Sequence, residues 1–211
     1  GVHIEGPFLN PNRCGALNKG AFINPTLDNV KRLIDGYENI IKIITMAPEL
    51  DGAINIIETL TEKGIIVNMG HSDATYEEAH NAFKAGAKGI THIFNAMRGF
   101  HHRQPGIAGF GILDEDVYIE VIADPFHLDI KTIEMIFMVK PADRIILISD
   151  SIRFTNTSVA EKAIIDAEKV LLGGAMSITD AANRLIELGF NSDIVKNCIS
   201  TNPAHYLGIE G

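Results

Sequence analysis

The stretch GIIVNMGHSDATYEEAHNAF, residues 64–83, sets the reading of the fold. Ile65 to Met69 is a short apolar run rich in β-branched residues, bounded by Gly64 and Gly70. A run this short and continuous suits a strand covered on both faces. Thr75 and Glu78 stand three apart and form a capping box: the Thr side chain accepts from the third helical N–H and the Glu reaches back. Ala79, Ala82 and Phe83 then supply the apolar stripe of a helix. Strand, turn, helix: the unit repeats a β/α step, and the turn between its halves carries His71.

The same grammar extends in both directions. VHIEG opens the chain, IIKIITMAPE (40–49) follows, and GAINIIETLTEKG (52–64) reads as the helix after it. GITHIFNA (89–96), VYIEVIADPFH (117–127) and RIILISD (144–150) are three further strand-like runs. SITDAANRLIELGF and NSDIVKNCISTNPAHYLG read as two helices, with Ser177 and Ser192 as N-caps. Residues 152–172 are the least regular segment and read as a loop or small insertion.

Strands alternating with helices imply right-handed βαβ units and a parallel sheet. The reactive residues Glu5, His71, His92, His127 and Asp150 fall at or just past the strand ends. An open doubly wound sheet gathers ligands only near a switch point, whereas a (β/α)8 barrel collects them around its rim. The expected fold is therefore α/β, an incomplete (β/α)8 TIM-like barrel with about six barrel strands. On this reading GVHIEG is the third strand, and residues 1–211 form a partial barrel domain whose two outer strands, Val2–Glu5 and Ile145–Asp150, lack neighbours.

Composition narrows the functions. A hydrophobic share of 46% with 21% charged residues describes an ordinary folded domain, not a disordered one. A formal net charge of −9 argues against nucleic acid and anionic membranes as partners. No apolar run reaches transmembrane length, and the start lacks a signal-peptide layout. Cys14 and Cys198 form no CxxC pair, which fits a reducing cytoplasm better than a disulfide framework.

An imidazole or carboxylate in an apolar setting needs partners. Glu5, His71 and His92 come from separate strand ends and make a three-ligand set with an open position, the catalytic pattern for zinc. Nitrogen and oxygen donors suit iron as well, so the divalent ion stays open between them. Asp150 ends the most hydrophobic strand and is either a turn former or a general base and acid. His127 is placed to hydrogen-bond a substrate, and Asp124 to orient a neighbour or close a turn before Pro125. The segment FNAMRGFHHRQPGIAG reads as a polar loop in which Arg98, Arg103, His101 and His102 are solvated by default, although an arginine on a barrel rim suits a phosphate. No P-loop, GxGxxG or Ser/His/Asp signature is present.

HIEGPFLNP, GHSDATYEEA, THIFNAM, HHRQPGIAG, ADPFHLD, ISDS and STNPAHYLGI, in this order, resemble the N-acetylglucosamine-6-phosphate deacetylase family of the amidohydrolase superfamily. The resemblance implies metal-dependent removal of acetate from an amino sugar phosphate, on a TIM-like barrel of the metal-dependent hydrolase type accompanied by a β-sandwich that is largely absent here. It implies Glu5, His71 and His92 as metal ligands and Asp150 as the group that moves the proton. It also implies substrate contacts from Asn95, the Ala96 backbone, Arg103, His127 and the turn Leu171, Leu172, Gly173. A cytoplasmic homodimer is the implied state of the complete protein. Leu17 stands where the family has His or Gln, and Pro125 where it has Gly. These departures keep two alternatives in view: an amidohydrolase with a shifted substrate, and a noncatalytic remnant that binds sugar phosphate or metal.

Overall fold

The structure, a computed structural model, describes residues 1–153, 155 and 162–209. It resolves into two compact units, Gly1–Val117 and Tyr118–Gly211.

In the first unit, β1 (Val2–Glu5), β2 (Ile41–Met46), β3 (Ile66–Met69) and β4 (Ala87–Ile90) lie side by side in that order, all parallel. Between and after them run α1 (Leu27–Ile34), α2 (Ala53–Glu62), α3 (Tyr76–Lys84) and α4 (Gly106–Leu113). Ile44, Met46, Val67 and Met69 have no exposed surface, as expected of strands covered on both faces. The capping box is formed: Thr75 Oγ1 accepts from Glu78 N, and the Glu78 carboxylate accepts from Thr75 N at 2.8 Å. Ala79 and Ala82 are fully buried, so the predicted stripe faces the core.

Two expectations need correction here. The fourth strand covers only Ala87–Ile90, and residues 91–96 wind as turns. His92, Phe94 and Ala96 all take left-handed backbone angles, with φ of 33°, 72° and 47°, which no strand tolerates. The polar loop is shorter than expected because Gly106 begins α4. That helix, GIAGFGIL, is apolar all round and so shows no amphipathic period. Its Phe110 packs against the Tyr76 and Phe83 rings of α3, at centroid distances of 5.4 and 5.9 Å.

In the second unit, β5 (Tyr118–Ile122) pairs parallel with β6 (Ile145–Ile148), Ile119 opposite Ile145 and Ile122 opposite Ile148. The helices are α5 (Ile130–Val139), α6 (Ile178–Glu187), α7 (Ser192–Ile199) and α8 (Thr201–Leu207). Ser177 caps α6 as expected. The cap of α7 is Asn191, not Ser192: the Asn191 side chain accepts from both Asp193 N and Ile194 N. The segment expected to be one terminal helix is two, broken at Ser200. Asn202 on α8 donates to Ala142 O at 2.8 Å and Ile145 O at 2.7 Å, pinning the start of β6. The motif STNPA is therefore structural at this position.

Part of the irregular segment at 152–172 lies outside the described residues. Within the described part, Leu172 N donates to Ile164 O and Asp166 N to Val170 O, closing a small antiparallel turn.

Candidate active site and metal centre

β1, β3 and β4 lead Glu5, His71 and His92 to one point in the first unit. Glu5 is the last residue of β1, while His71 and His92 each follow their strand by two residues. Both histidines have positive φ, 47° and 33°. Non-glycine residues in that region cost roughly 1–3 kcal/mol each and cluster at functional sites. The turn before His71 passes close to its neighbours: a Cβ on Gly70 would come within 2.8 Å of the Thr45 methyl.

Glu5 Oε1 stands 3.0 Å from His71 Nε2 and 2.8 Å from His92 Nε2, and the two Nε2 atoms are 3.1 Å apart. The imidazole rings meet edge to face at 84°. Both histidines are 4% exposed, and the carboxylate remains partly open. Burial opposes the Glu5 charge, but the two imidazoles outweigh it and hold the carboxyl well below the usual range.

The donor set suits a cation. His71 Nδ1 lies 2.8 Å from the Arg13 carbonyl, which can only accept, so Nδ1 carries a proton. In the neutral ring Nε2 then presents a lone pair to a carboxylate oxygen and to a second imidazole nitrogen. At 2.8–3.1 Å these three atoms need a proton or a metal ion among them. The triangle is close to the size that four-coordinate bonds of roughly 2.0–2.2 Å require. These residues fit a divalent ion, and among the described residues this is the one His/Cys/Asp/Glu group with metal-binding geometry. His92 Nδ1 is buried with no hydrogen-bond partner among the described residues.

A polar layer lies along the same strands. His3 Nε2 meets Thr45 Oγ1 at 2.7 Å, Thr45 Oγ1 meets Thr91 Oγ1 at 2.7 Å, and Asn68 Nδ2 donates to Thr91 at 3.1 Å. His3 is thus tied to the strand layer and stays out of the ligand triangle.

Sequence reasoning missed the support around His71. Glu49, three residues past β2, accepts from Asn10 Nδ2 at 2.9 Å, Ser72 Oγ at 2.6 Å and Asp73 N at 2.6 Å. Asp73 is held by Arg98 at 2.8 Å and by Arg13, and these guanidiniums keep its carboxyl at about 2. Arg98, expected to be solvated, is therefore part of a clamp on the His71 loop. The APE and GHSD motifs were the available signal for it.

The remaining expected residues sit as follows. Asn95 Nδ2 donates to the His92 and Ile93 carbonyls at 3.2 Å, closing the turn that holds Ala96. Arg103 is exposed, and its backbone N–H donates to His101 Nδ1 at 3.3 Å. In the second unit, Asp150 follows β6 by two residues with φ of 45°. The His127 side chain is 6% exposed and lies beside Asp124, with Nδ1 2.9 Å from its carboxylate. Leu171 bridges to Ile165, and Gly173 lies so close to Asp150 that a Cβ would come 2.8 Å from the Asp150 carbonyl.

No family model matches the chain. It is 41% identical to an N-acetylglucosamine-6-phosphate deacetylase of Lysinibacillus sphaericus, over 72% of this chain and 40% of that protein. It is 30% identical to an N-acetylgalactosamine-6-phosphate deacetylase of Escherichia coli O157:H7, over 100% of this chain and 59% of that protein. Among solved structures it matches a mutant N-acetyl-D-glucosamine-6-phosphate deacetylase from Mycobacterium smegmatis, in complex with N-acetyl-D-glucosamine-6-phosphate, with a TM-score of 0.92 and 30% identity over 99% of this chain and 60% of that one. The chain spans about half the length of the curated relatives it matches. The expected fold class, an incomplete (β/α)8 barrel with six strands present, is borne out.

Proposed function

This chain is a homologue of the N-acetylglucosamine-6-phosphate deacetylases over the length it spans, and from that premise we propose that its protein hydrolyses the N-acetyl group of N-acetylglucosamine 6-phosphate. Water adds its oxygen to the acetyl carbon, the C–N bond breaks, and the nitrogen takes a proton. The products are glucosamine 6-phosphate and acetate. The observation that carries this reading is the convergence of Glu5, His71 and His92 into one triangle of metal-ligating atoms.

Those three residues would hold the divalent ion, zinc or iron. When bound, it supplies Lewis-acid polarisation of the amide carbonyl and of the attacking water. Asp150 would take the proton from that water and pass it to the leaving amine, a role supported by its place at a strand end and its left-handed backbone. His127 would hydrogen-bond the substrate, and Arg103 would grip the phosphate through its guanidinium fork. Asn95, the Ala96 backbone, Leu171, Leu172 and Gly173 would complete the sugar contacts.

In this reading residues 1–211 make one partial barrel domain, and the complete protein is a cytoplasmic homodimer. Cys14 and Cys198, both unpaired, support the reducing setting. No described helix is long and apolar enough to cross a membrane. A second substrate, the galacto-configured amino sugar phosphate, is favoured by the 30% identity with the N-acetylgalactosamine-6-phosphate enzyme along the whole chain.

Steady-state assay of the natively expressed protein with both N-acetylated hexosamine phosphates tests the reading. Asp150→Asn should lower turnover by roughly a hundredfold or more while leaving metal content intact. Absence of turnover on every acylated amino sugar phosphate by the metal-loaded protein would instead mark it as a binding remnant.

A further inference from the structure

We propose that Asp124 is a positioning residue that fixes His127 with its proton on Nδ1 and couples that ring to the segment Gly173–Ala175. The proposal rests on the reading of His127 as a substrate contact and adds the group that controls it.

Asp124 is 1% exposed, and its two oxygens receive four donors. Oδ1 accepts from Phe126 N and His127 N, both at 2.9 Å. Oδ2 accepts from His127 Nδ1 at 2.9 Å and from Ala175 N at 2.9 Å. An ionised carboxylate offers about four acceptor positions and no proton, so this set saturates it. Burial works against the charge, but the His127 ring and the three backbone N–H groups prevail and hold the carboxyl at about 2.

The consequence for His127 is chemical. A partner that can only accept forces the ring proton onto Nδ1, because the bond at one ring nitrogen sets the state of the other. Nε2 is then the nitrogen left for a ligand, an acceptor in the neutral ring and a donor once the ring is protonated. Asp124 supplies the opposing charge for the protonated form.

The same carboxylate reaches the end of the neighbouring strand. Ala175 follows Gly174, whose N–H donates to the Asp150 carbonyl at 2.9 Å. A Cβ on Gly174 would lie 1.7 Å from the Ser149 carbonyl oxygen, so only glycine allows this approach. Asp124 therefore ties the His127 ring, through Ala175 and Gly174, to the backbone of Asp150. Among the described residues no lysine or arginine pairs with this carboxylate, and the His127 ring is its ion-pair partner.

Nitrogen-15 NMR of the histidine rings in the natively expressed protein tests the proposal, with His127→Gln used to assign the signal. The neutral His127 ring should carry its proton on Nδ1; a proton on Nε2 overturns the proposal without any variant. Asp124→Asn places an amide N–H against Nδ1 and should switch the proton to Nε2. Replacing a carboxylate that holds a catalytic imidazole by its amide lowers kcat by roughly 10⁴ through the wrong tautomer. A loss of at least roughly a hundredfold in kcat, with KM changed far less, is expected here. An unchanged tautomer in a folded Asp124→Asn protein, with kcat within about threefold, overturns the positioning role and leaves the deacetylase reading standing. Should the unmodified protein hydrolyse no amino sugar phosphate, the tautomer in both proteins still decides the proposal. If Asp124→Asn fails to fold, the measurement on the unmodified protein decides it alone.

Discussion

Glu5 Oε1 and His92 Nε2 stand 2.8 Å apart although 87 residues separate them in the chain. They come from the first and fourth strands of one parallel sheet and meet because each sits at the carboxyl end of its strand. With His71 completing the triangle, removing either imidazole leaves two donors where the ion needs three. His71→Ala and His92→Ala should each lower metal affinity by more than the roughly 10–100-fold that follows loss of a partner supporting a ligand. Metal analysis after dialysis against limiting zinc reads this directly, and unchanged occupancy in both variants would remove the triangle as a metal centre.

Glu49 accepts three hydrogen bonds that hold Asn10, Ser72 and Asp73 around the His71 turn. Glu49→Ala strands those donors, at a cost of roughly 1–3 kcal/mol for each that stays buried. The expected result is a lower denaturation midpoint together with weaker zinc binding, even though Glu49 touches no ligand atom. Calorimetric zinc titration of the folded variant is the check, and wild-type affinity would confine Glu49 to stability.

Arg103 is exposed, so its substitution should leave folding unchanged. A charge-assisted pair with phosphate contributes about 1.5–3 kcal/mol. Arg103→Ala should therefore raise KM for the phosphorylated sugar at least roughly tenfold and leave the unphosphorylated sugar unaffected. Equal effects on both sugars would show that another group reads the phosphate.

Asp124 and Asp73 both have carboxyls held at about 2, the first by the His127 ring and backbone N–H groups against the cost of burial, the second by Arg98 and Arg13. A depressed carboxyl stabilises the fold above its unfolded value, near 3.8 here, and loses that contribution as pH falls through the folded value. Urea midpoints should thus be flat with respect to these groups above about pH 5 and fall between about pH 4 and pH 2. Asp73→Asn should flatten part of that fall. An acid limb of the same slope in wild type and variant would show that Asp73 is not depressed.

Sequence by itself determined the β/α order, because burial on both faces and helix capping are local patterns. The run Ile65–Met69 and the pair Thr75 and Glu78 carry them within one turn of chain. It also placed Glu5, His71 and His92 at strand ends, where an apolar setting makes each group need a partner. Tertiary structure alone decided what those partners are. The bond from Asn10 to Glu49 spans 39 residues and that from Ala175 to Asp124 spans 51, and no local period encodes either. The strand ended at Ile90 rather than running on through Ala96 because His92 turns into the triangle with positive φ, a strain that only the meeting with Glu5 and His71 explains. The helix Gly106–Leu113 escaped notice because a segment buried on every side shows no amphipathic stripe. Local chemistry wrote the elements and the reactive groups, and packing across distant segments chose their angles, partners and charge states.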